Sequence, residues 1–118
     1  MDHVLNALGQ PVGRPLSGWA APPRPMRETL TGRFCRLEPL DPDKHGPQLF
    51  QANSLDTVGR LWTYLPYGPF DSLTAYLEWL HSFCLSDDPL FFTILDSAGF
   101  NAAGVVSYLR IHPPDGVI

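Results

Sequence analysis

PLFFTILDSAGFNAAGVVSYLRI (Pro89–Ile111) reads as two strands joined by a turn. Pro89–Leu95 is the first strand, DSAGFN holds the turn, and Ala102–Ile111 returns. Leu90, Phe92 and Ile94 share one face of the first strand, and Phe91 and Leu95 share the other. On the second strand Val105, Leu109 and Ile111 oppose Val106 and Tyr108. An antiparallel hairpin with one wet face alternates apolar with polar residues, and this one does not, so both faces require cover. HPPDGVI (His112–Ile118) follows, with Asp115–Gly116 a strong turn dipeptide and Val117–Ile118 the expected opening of a further strand.

Working upstream, DSLTAYLEWLHSFCL is an amphipathic helix. Leu73, Tyr76, Leu77, Leu80, Phe83 and Cys84 recur at helical spacing, and Asp71 is the expected N-cap. GRLWTYLPYGPF (Gly59–Phe70) carries Trp62, Tyr64, Tyr67 and Phe70 between Pro66, Gly68 and Pro69, which predicts a structured aromatic loop. Asp41 as N-cap and Pro42 at the first helical position predict a helix to about Ser54, with Gly46–Pro47 marking a weak point where it restarts. RFCRLEPL (Arg33–Leu40) alternates Phe34, Arg36 and Glu38 against Cys35 and Leu37, and Pro39 predicts a short strand near a sheet edge. The order strand, helix, loop, helix, strand, strand makes the fold α+β with a mostly antiparallel sheet.

Residues 1–28 lack any hydrophobic period. Five prolines fall between Pro11 and Pro25, interleaved with glycines, so this segment is expected to be an extended arm, with Trp19 tacking it to the domain formed by residues 29–118. Two helices cover one sheet face only. Leaving about four large side chains wet on the other forfeits on the order of 10 kcal/mol. That is comparable with a whole domain's stability of about 5–15 kcal/mol. Residues 29–118 therefore read as part of a larger layered unit.

Composition removes several function classes. The chain of 118 residues carries a formal charge of −4, and Lys44 is the single lysine among eight basic residues, which argues against nucleic acid as a partner. No apolar run is long enough to span a membrane, so no membrane partner is expected, and Cys35 and Cys84 read as reduced thiols of a cytoplasmic protein. No phosphate loop and no Gly-x-Ser-x-Gly elbow occurs. His81 and Cys84 stand three apart without further ligands at metal-site spacing, so no metal is expected. Asp87 and Asp88 read as solvated loop carboxylates, and His45 and His112 as exposed residues. The aromatic loop is the segment best suited to shape a pocket, its tyrosine hydroxyls serving as polar handles.

Four stretches, LTGRFCRLEPLDPDKH, LWTYLPYGPF, DDPLFFTILD and GVVSYLRIHPPDG, resemble the N-terminal half of a GNAT-superfamily N-acetyltransferase, in the branch of the ribosomal-protein N-terminal acetyltransferases. The resemblance runs from Leu30 to Ile118, about three quarters of the chain. It implies a partial acyl-CoA N-acyltransferase fold, strand-helix-helix-strand-strand, truncated at the fourth strand. It also implies acetyl transfer from acetyl-CoA to an amine-bearing small molecule or a peptide N-terminus, by attack of the amine on the thioester. The resemblance places the acceptor side on Trp62, Tyr64, Tyr67 and Phe70 and on Ser107, Tyr108 and Arg110 of the hairpin. Catalytic positions and the pyrophosphate loop are expected beyond Ile118, so no cofactor-binding residue is expected here and the chain alone is expected to be catalytically silent. The contrasting expectation is a non-enzymatic module that pairs with a partner or a second copy through the open edge of residues 102–111.

Overall fold

The computed structural model describes residues 3–118. Two short strands, β1 (Val4–Leu5) and β2 (Pro11–Val12), pair antiparallel in the arm. The main sheet has four antiparallel strands in the order β3 (Leu30–Thr31), β4 (Cys35–Pro39), β5 (Leu90–Asp96) and β6 (Ala102–Tyr108). Helices α1 (Pro42–Asn53) and α2 (Leu73–Phe83) lie between β4 and β5 in sequence and cover one face. The radius of gyration, 19.5 Å with extents of 60 × 29 × 27 Å, exceeds the roughly 13–14 Å of a compact domain of this length. The excess reflects the exposed arm.

Strand β5 carries the core. Phe91 and Leu95 join Leu49, Tyr76, Leu80 and Cys84 beneath the helices. Leu90 and Phe92, 3% and 1% exposed, face the other way and pack with Ile111 and Leu37. The expected bare second face is therefore covered under β5, and it stays open towards both sheet edges, where Val106 and Tyr108 of β6 and Leu30 of β3 are exposed.

Helix α1 starts as its cap dictates: the Asp41 carboxylate accepts the N–H groups of Asp43 (3.0 Å) and Lys44 (3.2 Å). It does not restart at Pro47 but runs through it. Gly46 has a packing reason, because a Cβ there would run into the Leu77 side chain of α2 and sit 3.4 Å from Leu80. Helix α2 is capped by Ser72, whose hydroxyl accepts the Ala75 N–H at 3.1 Å, and not by Asp71.

Several loop expectations change. Strand β4 is interior, between β3 and β5. Pro39 is tolerated because Leu40 donates its N–H to Phe91, which turns the neighbouring Pro39 nitrogen toward the side where β3 has already ended. Strand β6 stops at Tyr108, three residues early, since Arg110 adopts φ 55 and the Asp88 carboxylate accepts the N–H groups of Arg110 (2.9 Å) and Ile111 (3.0 Å). Asp88 is thus a structural clamp, and the reversal places Ile111 with Leu90 and Phe92. Asp87 pairs with Arg27 at 2.9 Å, while Arg27 also donates to the carbonyl oxygens of Leu85 and Ser86 past the end of α2. Trp19 lies against Gly116. Val117, expected to open a strand, forms a single bridge to His112.

His45 is not exposed. It is buried beneath α1, where its Nδ1 accepts the Asp41 N–H (3.1 Å) and meets Thr93 Oγ1 (3.0 Å), and its Nε2 lies 3.4 Å from Glu38. Burial pushes the Glu38 carboxyl up, but Lys44 (3.0 Å) and Arg36 (2.9 Å) outweigh it and hold the group below its ordinary value of 4.5. A carboxyl depressed on folding stabilises the fold above its unfolded value and loses that contribution as pH falls through the folded one. Stability should therefore decline as pH drops below 4.5, and Glu38→Gln should flatten that limb in chemical denaturation while costing about 1–2 kcal/mol at neutral pH. An unchanged acid limb in the variant would contradict the assignment.

Candidate functional site

The segment between α1 and α2 folds because its aromatic residues land on α2. Trp62 closes a short 3-10 turn (Arg60–Trp62), which Asp56 braces by accepting the Leu61 N–H at 2.9 Å. That backbone hydrogen bond holds the Asp56 carboxyl below its ordinary value. Trp62 then meets Phe70 (5.4 Å between ring centres), Trp79 (6.1 Å) and Tyr67 (6.3 Å) edge-on. Trp79 continues the cluster to Phe91 of β5 at 6.1 Å. Such edge-to-face pairs contribute about 0.5–1.5 kcal/mol each beyond burial.

Two cavities flank Trp62. The first, about 350 Å³, runs between the aromatic loop and β6 and is lined by Trp62, Tyr67, Trp79, Phe91, Asn53 and Ser107, among others. Its walls are apolar, Ser107 and Asn53 supply polar contacts, and it has no charged lining residue. Burial raises the Tyr67 hydroxyl above its ordinary value. The second cavity, about 400 Å³, lies on the other side of Trp62 against the C-terminal end of α1 and the start of α2.

Of the seven residues expected on the acceptor side, Trp62, Tyr67 and Ser107 meet in the first cavity, and Phe70 lines the second. The other three stand apart. Tyr64 is 97% exposed. Tyr108 points to the opposite sheet face, where its ring meets Phe92 at 5.9 Å. Arg110 lies past the end of β6, not on the strand. Strand parity separates Ser107 from Tyr108, since successive side chains leave opposite faces.

Sequence reading passed over Trp79, Asn53 and Tyr76 as site residues. Trp79 follows Tyr76 by three and precedes Phe83 by four, so helical spacing places it on the same face. Asn53 follows Phe50 by three in the last turn of α1. Nothing in the local sequence marks Tyr76 as facing a cavity. Burial pushes its hydroxyl up to about 12 and the Cys84 thiol likewise to about 12, so that thiol is inert. No cluster of three or more potential metal ligands occurs among the described residues.

Neither helix N-terminus within residues 3–118 fits a pyrophosphate. Asp41 already occupies the first N–H groups of α1, and Ser72, with Asp71 before it, occupies that of α2. Both acidic residues oppose an anion.

Gly68 fixes Trp62. It adopts φ 73, and a Cβ there would lie 2.5 Å from the indole ring. Gly68→Ala should displace the indole and destabilise the fold by about 1–3 kcal/mol. Near-UV circular dichroism and thermal melting check this, and an unaltered aromatic spectrum would refute the packing role.

No family model and no curated protein matches the chain. Solved structures do. A GCN5-related N-acetyltransferase from Brucella melitensis is 39% identical with a TM-score of 0.80, over 86% of this chain and 46% of that one. A probable acetyltransferase of the GNAT family from Chromobacterium violaceum ATCC 12472 is 27% identical with a TM-score of 0.75, over 89% of this chain and 52% of that one. The chain spans about half the length of these structures. Identity of 39% with a TM-score of 0.80 over 86% of the chain shows that it belongs to the GNAT superfamily of N-acetyltransferases.

Proposed function

We propose that this chain forms the acceptor side of an acetyl-CoA-dependent N-acetyltransferase, with acetyl transferred to an amine on a small molecule or a peptide N-terminus. The observation that carries the proposal is the uncharged, aromatic-walled cavity between the loop and β6. Acyl transfer requires a neutral amine, and an apolar cavity without a carboxylate disfavours the ammonium form. Trp62, Tyr67 and Trp79 would orient the acceptor's apolar part and exclude water, while Ser107 Oγ and the Asn53 amide would hydrogen-bond its polar atoms. Acetyl-CoA supplies the activated acyl group in this reading. Residues 3–118 do not fit its pyrophosphate, so no step of the transfer is assigned to them. Two unbridged cysteines agree with a reducing, cytoplasmic setting.

A second reading rests on β6, which ends the sheet with one edge unpaired and with Val106 and Tyr108 exposed. Such an edge accepts a strand from a partner or a second copy.

Calorimetry on residues 1–118 alone should give no saturable heat with acetyl-CoA, and micromolar binding would overturn the division of labour. Joined to the C-terminal portion of the Brucella melitensis relative, the chain should acetylate members of an amine panel. Trp62→Ala should then lower kcat/KM for the amine by about ten-fold or more with little change in KM for acetyl-CoA. Equal effects on both substrates would count against an acceptor role. A dimer that persists on dilution in light scattering would favour the strand-addition reading.

A further inference from the structure

The walls of the first cavity restrict the amine it can take. Trp62, Tyr67, Trp79 and Phe91 supply rings, Leu65 and Val105 supply aliphatic surface, and no charged residue lines it. Burial holds the Tyr67 hydroxyl above its ordinary value of 10.0, so the walls stay neutral into the alkaline range. Hydrogen-bonding capacity is small: Ser107 and Asn53 are the lining residues with a hydroxyl or amide besides Tyr67, and the Asn53 amide also serves the Tyr76 hydroxyl. Aromatic faces can hold a cation. Here, however, neighbouring rings already lie against Trp79, with Tyr67 at 4.7 Å, Phe70 at 5.2 Å and Phe83 at 5.9 Å, and no carboxylate supplies a counter-charge.

We infer that the acceptor is a small monoamine on an aromatic or branched aliphatic stem, with the reacting nitrogen as its one ionisable group. A monoamine enters neutral by leaving its proton in water. Every further ammonium must shed another, a roughly thousand-fold penalty at pH 7 for a group titrating at about 10. A free carboxylate would be desolvated without a partner. The amides of a peptide would outnumber the polar side chains that could meet them. Polyamines, aminoglycoside-like polycations, amino acids and peptides are therefore excluded. The identity of the acceptor rests on the acyl-transfer reading of this cavity; its preference for an uncharged ligand does not.

The test uses the whole 118-residue chain labelled with 5-fluorotryptophan, without acetyl-CoA. The 19F resonances are assigned by their loss in Trp19→Phe, Trp62→Phe and Trp79→Phe. At pH 7, 2-phenylethanol should shift the Trp62 and Trp79 resonances saturably and leave Trp19 in place. Its amine counterpart, 2-phenylethylamine, should bind at least about ten-fold more weakly, gaining about ten-fold per pH unit up to pH 9 as the neutral fraction grows. Spermidine and a phenylalanine-led tripeptide amide should give no saturable shift. Ser107→Asp, checked for folding by its melting temperature, should reverse the preference between alcohol and amine; if it fails to fold, the wild-type pair decides. Equal or tighter binding of the amine at pH 7, an affinity that ignores pH, saturable binding of spermidine or the peptide, or shifts confined to Trp19 would overturn the inference. In the joined protein, acetylation of spermidine as readily as of 2-phenylethylamine would refute this inference alone. Selective binding with no acetylation of any amine would instead refute the acyl-transfer reading and leave the cavity's selectivity standing.

Discussion

Strand β5 has both faces and both edges occupied, and the rest of the molecule is arranged around that condition. Its edges pair with β4 and β6 in register from Pro39↔Phe92 to Cys35↔Asp96 and from Leu90↔Tyr108 to Leu95↔Ala102. Phe91 and Leu95 anchor the two helices, and Leu90 and Phe92 hold the smaller cluster behind. A slip of one residue would exchange those two sets and leave neither cluster intact. The buried Glu38, His45 and Thr93 add a polar check on the same register, because Glu38 stands opposite Thr93 and under His45. The Glu38 ion pairs and the His45–Thr93 contact form together in one alignment of β4, β5 and α1, so they favour that register.

From that frame the functional surface follows. The helices approach closely enough for Gly46 to be needed, which sets α2 against β5 and turns Trp79 toward Phe91. Trp79 is the platform on which Tyr67, Phe70 and Trp62 settle. Trp62 then divides two cavities of unlike electrostatics, one free of charge and one carrying two carboxylates.

Much of this was legible in the residues. The hairpin of apolar strands, the Asp41–Pro42 helix start, the helical spacing from Leu73 to Cys84 and the aromatic loop are all short-range signals, and each appears within a few residues of its expected place. The departures share a cause. Arg110 leaves the strand because Asp88, 22 residues away, captures its N–H. His45 is buried because Thr93 and Glu38 meet it from two strands. Ser72 displaces Asp71 as cap through a one-residue choice between two good capping side chains. The first two competitions lie outside any local window, and the third is a close contest between neighbours within one.

The sequence alone determined the element order, the α+β class, the loop that carries the aromatic groups and the resemblance to the GNAT superfamily, because periodicity, capping and turn chemistry act over short stretches. Tertiary structure decided which of those groups share a space. Strand parity sent Ser107 into the first cavity and Tyr108 to the opposite face. Helix packing brought Tyr76, Asn53 and Trp79 to the aromatic loop. These are contacts between residues distant in the chain, set by how the helices close over β5, and no local pattern encodes that closure.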